Sequence, residues 1–267
     1  MMPMAMPGEA ASGKTDLVRT ERDAPCDGSV RLVLDDPRHA NALSPALVSR
    51  LHDALRDAIA SEAKAIVFDS SGERFCAGFD LRDAEAFDDA SLRERFDAVE
   101  ALLESVRRAP AVTIAAVRGP ALGAGADLVA ACDYRIGTPQ ARFAFPGSRF
   151  GVVLGTRHLA SVVGRQAALE MLVEGRTPDA DAALRCGLLS EARSPESLPS
   201  RIEEIARHCA SIDIETLRAM LRLVRSEPSE RDRAELLASV AREGFRERVR
   251  AHAKRVREAR DARRGHP

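Results

Sequence analysis

The sequence predicts an α/β fold with a helical C-terminal appendage. Strand and helix patterns alternate up to about residue 190, and helical patterns alone follow. Two observations carry this reading. AIVFDS (65–70) and VTIAAVRG (112–119) are apolar, β-branched runs, as buried strands are. Between such runs apolar residues recur at helical spacing, as at Leu47, Leu51, Ala54, Leu55, Ala58 and Ile59.

Residues 1–13 are rich in Met, Pro, Gly and Ala without periodicity, and read as disordered. VRLVLDD (30–36) alternates apolar and polar residues like a strand, and Asp36, Pro37 and Asn41 mark a turn. Ser44-Pro45 is a helix N-cap with proline in the first turn, opening a helix to about residue 61. The strand at 65–70, a Leu- and Val-rich helix around 91–108 and the strand at 112–119 follow. Next come a glycine turn, a short apolar helix through Cys132, and the runs YRIGT (134–138) and RFAF (142–145). Helical patterns resume at 157–173 and 179–185, then at 196–210, 213–225 and 229–260. The expected organisation is an N-terminus of 1–13, an α/β core over 14–195 and a helical region over 196–267. No internal repeat is visible.

Length and composition narrow the function classes. The chain has 267 residues, 45% apolar and 30% charged, and a formal net charge of −1, which exerts no general pull on nucleic acid or anionic membrane. Residues 242–267 carry ten Lys/Arg against four Asp/Glu. That tail reads first as a solvated, frayed helix with basic residues near its C-terminus. The five cysteines are scattered and odd in number, which speaks for free thiols in a reducing compartment and against a zinc site or disulfide framework. No signal peptide and no membrane-length apolar run is present, so the cytoplasm is the expected location.

GPALGAGADL (119–128) raises the question of a nucleotide loop. A dinucleotide fingerprint needs a third glycine where Leu128 stands, and no Walker-type GK[ST] occurs. What remains is a strand, a small-residue turn and a helix starting near Ala124. The first amides of a helix lack internal acceptors, so an oxygen could approach them closely over glycine and alanine. RFCAGFDL (74–81) is a second such turn after a strand. Either turn alone reads as a tight connection. Together they could aim two amides at one oxygen.

RFCAGFDL, PALGAGADLVAACDYRI and FAFPGSRFGVVLGTRHLASVVG, in this order, resemble the crotonase (enoyl-CoA hydratase/isomerase) superfamily. RHANALS (38–44) and ALEMLVEGRTPDADAALRCGLLSE (168–191) extend the likeness over about 30–189. The resemblance implies a core of repeated ββα units and a C-terminal helical trimerisation region, giving a homotrimer or a dimer of trimers. It implies an acyl-CoA thioester as ligand and no cofactor beyond the coenzyme A of the substrate. Carried over by position, the oxyanion donors are the backbone amides of Phe79 and Ala124, and the acid/base is Asp127. Substrate contacts fall on Arg38, Ala40, Ala77, Gly78, Arg82, Gly123 and Gly147. Hydration or dehydration of an enoyl-CoA is the first reaction expected, with double-bond isomerisation or another lyase step as the alternative.

The chain departs from the family pattern at two positions. Family hydratases place glutamates where this sequence has Asp127 and Gly147, and no Asp or Glu occurs between Asp133 and Glu170. Three readings of Asp127 stay open: a lone acid/base, a first-turn acid complementing the helix dipole, or the remnant of a pair in a chain that only binds acyl-CoA. Asp80 and His158 read as structural. Arg82 reads as a CoA-phosphate contact or a solvated cation. Ser148 and Arg149 could reach a polar acyl group. The basic tail has a second option, near a neighbouring subunit's CoA.

Overall fold

The computed structural model describes residues 16–225, 233, 237–238, 240–241 and 243–264. The residues expected to be a disordered N-terminus, 1–13, lie outside the described ones. Six strands form the main sheet: β1 (Val18–Arg22), β2 (Ser29–Leu34), β3 (Ala65–Ser70), β4 (Val112–Val117), β6 (Tyr134–Gly137) and β8 (Glu191–Ala192), in the order β1-β2-β3-β4-β6-β8. Only β1 and β2 pair antiparallel; every other neighbour in the sheet is parallel.

Why β3 and β4 are mostly apolar follows from what covers them. Ile66, Phe68, Ala115 and Val117 face a core shared with α1 (Pro45–Ala60) and α2 (Asp89–Arg108). The alternate residues Ala65, Val67, Val112, Ile114 and Ala116 pack with Leu198, Ile202 and Ile205 of α6 (Leu198–Ser211) and Leu217 of α7 (Ile214–Val224). With helices on both sides both faces are largely apolar, and the buried Asp69 and Thr113 are paired with Arg118 and Asp133. The Ser44 Oγ cap accepts from Leu47 N, and the Asp88 capping box opens α2.

A second layer of short extended pieces lies beyond the carboxyl ends of the strands. Leu43 bridges Phe79, Cys76 bridges Ala121, and β5 (Ala121–Leu122) pairs with β7 (Phe143–Ala144). Each of β2, β3, β4 and β6 is therefore followed by such a piece and then by a helix: α1, α2, α3 (Ala124–Ala130) and α4 (Thr156–Leu169). This is a ββα unit used four times, although the sequence shows no repeat.

The elements after β8 are helices. Arg225, at the end of α7, donates to Ala111 O at 2.8 Å, to Ala109 O and to the Asp133 carboxylate, while Asp133 also accepts from Thr113 N at 2.8 Å. That knot ties the helical region to the start of β4. Three expectations need correction. β1 pairs at the sheet edge, over residues where no strand is expected from the pattern. The helix expected over 157–173 breaks at Gly164 (φ 79°, ψ 162°) and ends in a π-helical turn, Glu170–Glu174. Residues 241, 243 and 244 form a turn before α8 (Phe245–Arg264), so no single helix covers 229–260.

Candidate active site

The site is built where the two small-residue turns meet. After β3 the chain reaches the second layer at Cys76, and Gly78 takes φ 85°, a conformation L side chains rarely adopt. A Cβ at Gly78 would lie 2.3 Å from Leu122 O and 3.2 Å from Ala124 N, so the glycine lets the turns touch. Hydrogen bonds fix the junction. Ala77 N donates to Ala40 O (2.9 Å), Leu43 N to Gly78 O (2.7 Å), Leu122 N to Cys76 O (2.9 Å) and Gly123 N to Ala144 O (2.7 Å). The amides of Phe79 and Ala124 donate to none of the acceptors that fix the two turns. Ala124 is the first residue of α3, where amides have no helical acceptor.

Beside this junction lies a cavity of about 490 Å³. Ala77, Phe79, Gly123, Ala124, Asp127 and Gly147 all line it, so six of the ten residues singled out from the sequence share one space. The other walls are largely apolar, and Asp127 is the one carboxylate among the lining residues. Phe79 stacks on Phe96 of α2 with ring centroids 4.1 Å apart. From α8, His252 packs on Phe150 at 4.5 Å, and His252 and Val256 line the cavity.

Asp127 sits in the first turn of α3 and is only 7% exposed. Burial pushes its carboxyl well above the usual range, and the negative charge of Glu100 adds to the push while Arg107 opposes it. Gly155, with φ 60°, closes against it: a Cβ there would fall 2.5 Å from Asp127 Oδ1. Behind, the buried Glu100 and the partly buried Arg107 of α2 form an ion pair at 2.6 Å. His158 Nε2–H donates to Ala130 O at 2.7 Å, and burial lowers its pKa to about 4, so a neutral imidazole braces α3 against α4.

The remaining four expected contacts are not among the residues that line this space. Gly78 packs against Leu122 and Ala124 at the junction. Ala40 lines a separate hollow with Pro37, Ser71 and Arg74, and Arg38 is exposed on the preceding 3-10 turn, Pro37–His39. Arg82 grips Asp80 through Nε (2.9 Å) and Nη2 (2.6 Å) while remaining half-exposed. Burial opposes the charge on Asp80, but hydrogen bonds and positive charge from Arg82, with Arg95, hold its pKa below the usual range.

Two polar readings change. Ser148 Oγ donates to Leu172 O and Arg149 Nη2 to Glu174 O, so both brace the π-helical turn, while Ser148 also lines the cavity. The basic tail is not simply solvated. Arg248 Nε donates to Phe150 O and Arg257 Nη2 to Glu85, both within the same chain.

Phe96, His252, Val256 and Glu100 are the parts of the site that sequence reasoning missed. Each stands in an ordinary amphipathic helix, and only the packing of α2 and α8 distinguishes it from core or surface.

Among the described residues no helix is long and apolar enough to cross a membrane. A family model described as enoyl-CoA hydratase/isomerase matches residues 27–254. The chain is 34% identical over 190 residues to the mitochondrial enoyl-CoA hydratase domain-containing protein 3 of Rattus norvegicus, covering 70% of this chain and 63% of that one. It is 35% identical over 177 residues to the probable enoyl-CoA hydratase echA6 of Mycobacterium tuberculosis, covering 65% of this chain and 71% of that one. A crystal structure from Bordetella parapertussis, assigned to the same hydratase/isomerase class, superposes with a TM-score of 0.85 at 35% identity, over 88% of this chain and 98% of that one.

Proposed function

Because this chain belongs to the enoyl-CoA hydratase/isomerase family, we propose that it acts on an acyl-CoA thioester through an enolate, with Asp127 moving the proton. The thioester oxygen sits between the amides of Phe79 and Ala124. Negative charge that develops there is met by donors already in place, and losing one such donor typically costs about 10²–10³ in rate. Arg38, Ala40 and Arg82, which lie outside the cavity lining, are assigned to the coenzyme A portion by their family positions alone. The working unit is a homotrimer or a dimer of trimers.

Of the two family reactions, a shift of the double bond fits this cavity better than addition of water. The observation that carries this preference is the single carboxylate: Asp127 faces an apolar space, and Gly147 stands where a second acid would hold water. One base suffices for the shift. The Asp127 carboxylate takes a proton from the α-carbon of a 3-enoyl thioester, and the C–H electrons move into a dienolate whose charge rests on the thioester oxygen. The same group then returns the proton to the γ-carbon, leaving the conjugated 2-enoyl thioester and a regenerated carboxylate.

A panel of 2-enoyl- and 3-enoyl-CoA thioesters separates the reactions by the conjugated-thioester absorbance. Growth of absorbance from 3-enoyl substrates, with 2-enoyl substrates resisting hydration, supports isomerisation. Loss of absorbance from 2-enoyl substrates supports hydration and contradicts the preference. Binding of CoA thioesters without turnover contradicts the enzyme reading and favours an acyl-CoA-binding subunit.

A further inference from the structure

A second cavity of about 220 Å³ lies on the far side of Gly155, lined by Glu100, Arg107, Val153, Gly155, Thr156, Arg157 and His158. Val153 and Thr156 also line the acyl cavity, so the two spaces share a wall. Gly155 lines the second space while its missing side chain would collide with Asp127 Oδ1. Asp127 thus lines the acyl cavity and packs on Gly155, which lines the second space together with the charged Glu100, Arg107 and Arg157. The second space is large enough for several water molecules at about 30 Å³ each. Of its lining residues Arg157 is exposed, while Glu100 is buried.

We propose that this chamber, through the charged side chains in its wall, is the proton port of Asp127, with Glu100 as the positioning residue that exchanges the Asp127 proton with solvent. The inference rests on Asp127 being the acid/base of the proposed reaction. In the exchange, the Asp127 O–H bond breaks and its proton passes through chamber water to a Glu100 carboxylate oxygen. Glu100 then releases a proton to bulk water at the mouth, and no electron pair leaves either residue. The pair missing from the acyl cavity thus reappears with its second carboxylate on α2. There it can reach Asp127 without touching the substrate. The charged or titratable groups lining the chamber are Glu100 and Arg107 from α2 and Arg157 and His158 from α4. His158 stays neutral over the working range, since burial lowers its pKa to about 4.

Two readouts test this. In the ligand-free protein, the Asp127 carboxyl is followed by carbon NMR, its signal identified by its loss in Asp127→Asn. The chamber account predicts opposite movements: Glu100→Gln lowers the Asp127 titration point and Arg107→Met raises it. Because a general loosening of α2 would move both variants the same way, parallel or absent shifts overturn the proposal. During turnover in deuterated water, wild type places solvent deuterium at the product γ-carbon. Glu100→Gln is expected to cut that incorporation at least threefold, with Glu100→Asp restoring most of it. Unchanged incorporation in Glu100→Gln also overturns the port. If no thioester reacts, the proposed reaction fails on its own, and the titration still decides the port.

Discussion

Asp127 is held in the folded chain at a cost. Its folded pKa lies above the unfolded one, because burial and the Glu100 charge both disfavour the carboxylate. The folded state therefore keeps the proton to higher pH than the unfolded chain. Its contribution to stability is full below the unfolded value of about 3.9 and is lost as pH rises through the folded value. Asp127→Asn should accordingly raise the melting temperature at pH 7 and change it little at pH 4. An equal effect at both pH values would contradict the buried-carboxylate account. Gly155→Ala is expected to displace the carboxyl, since the added Cβ falls 2.5 Å from Oδ1 and the backbone is left-handed there. Turnover should drop at least tenfold in steady-state assays while CoA thioester binding persists. The sequence shows Asp127 as a first-turn acid, but not its electrostatic neighbours. Glu100 and Arg107 lie 27 and 20 residues upstream on another helix, and no local pattern reports a contact made by tertiary packing.

At the scale of elements, the two turns and the helix between them were legible because glycine and alanine at those spacings have a direct geometric meaning. β1 was not, since an edge strand with exposed Arg19, Thr20 and Arg22 carries little apolar signal. The break at Gly164 and the turn before α8 were equally hidden, since periodicity reads through a single interruption. Two elements make separate predictions. Arg225→Ala removes the donors that tie α7 to Asp133, Ala109 and Ala111. It should destabilise by roughly 1–3 kcal/mol in denaturant titrations, because the pair is partly buried and leaves carbonyls unpaired. Val256→Asp places a charge on the wall that α8 gives the acyl cavity, and should raise KM for long apolar acyl thioesters more than for short ones. Equal changes for both would remove α8 from substrate contact.

For the whole molecule, the alternation of strands and helices followed by helices alone already implied a covered parallel sheet and a helical appendage. The ββα plan was implied only by the family resemblance and stayed hidden from the pattern, because its second strands are one or two residues long, too short for a period-2 signal. That second layer brings the carboxyl ends of β3 and β4 into one junction and so creates the site. The molecule also leaves Leu169, Val173 and Val256 exposed at the cavity rim and Met220 and Val224 exposed on α7. Sedimentation at micromolar concentration is expected to give a trimer or a multiple of it. A monomer at all concentrations would contradict the assembly proposed with the function.

The central claim is that one carboxylate, facing a thioester held by two amides, carries the proton transfer. Its most direct test is the turnover of a 3-enoyl-CoA by wild type and Asp127→Asn, with affinity for a non-reacting acyl-CoA measured in parallel. The account predicts a fall in kcat of about 10²–10⁴ with affinity kept within a few-fold, as expected when a positioned acid/base is removed from an intact site. Unchanged kcat in the variant would contradict it.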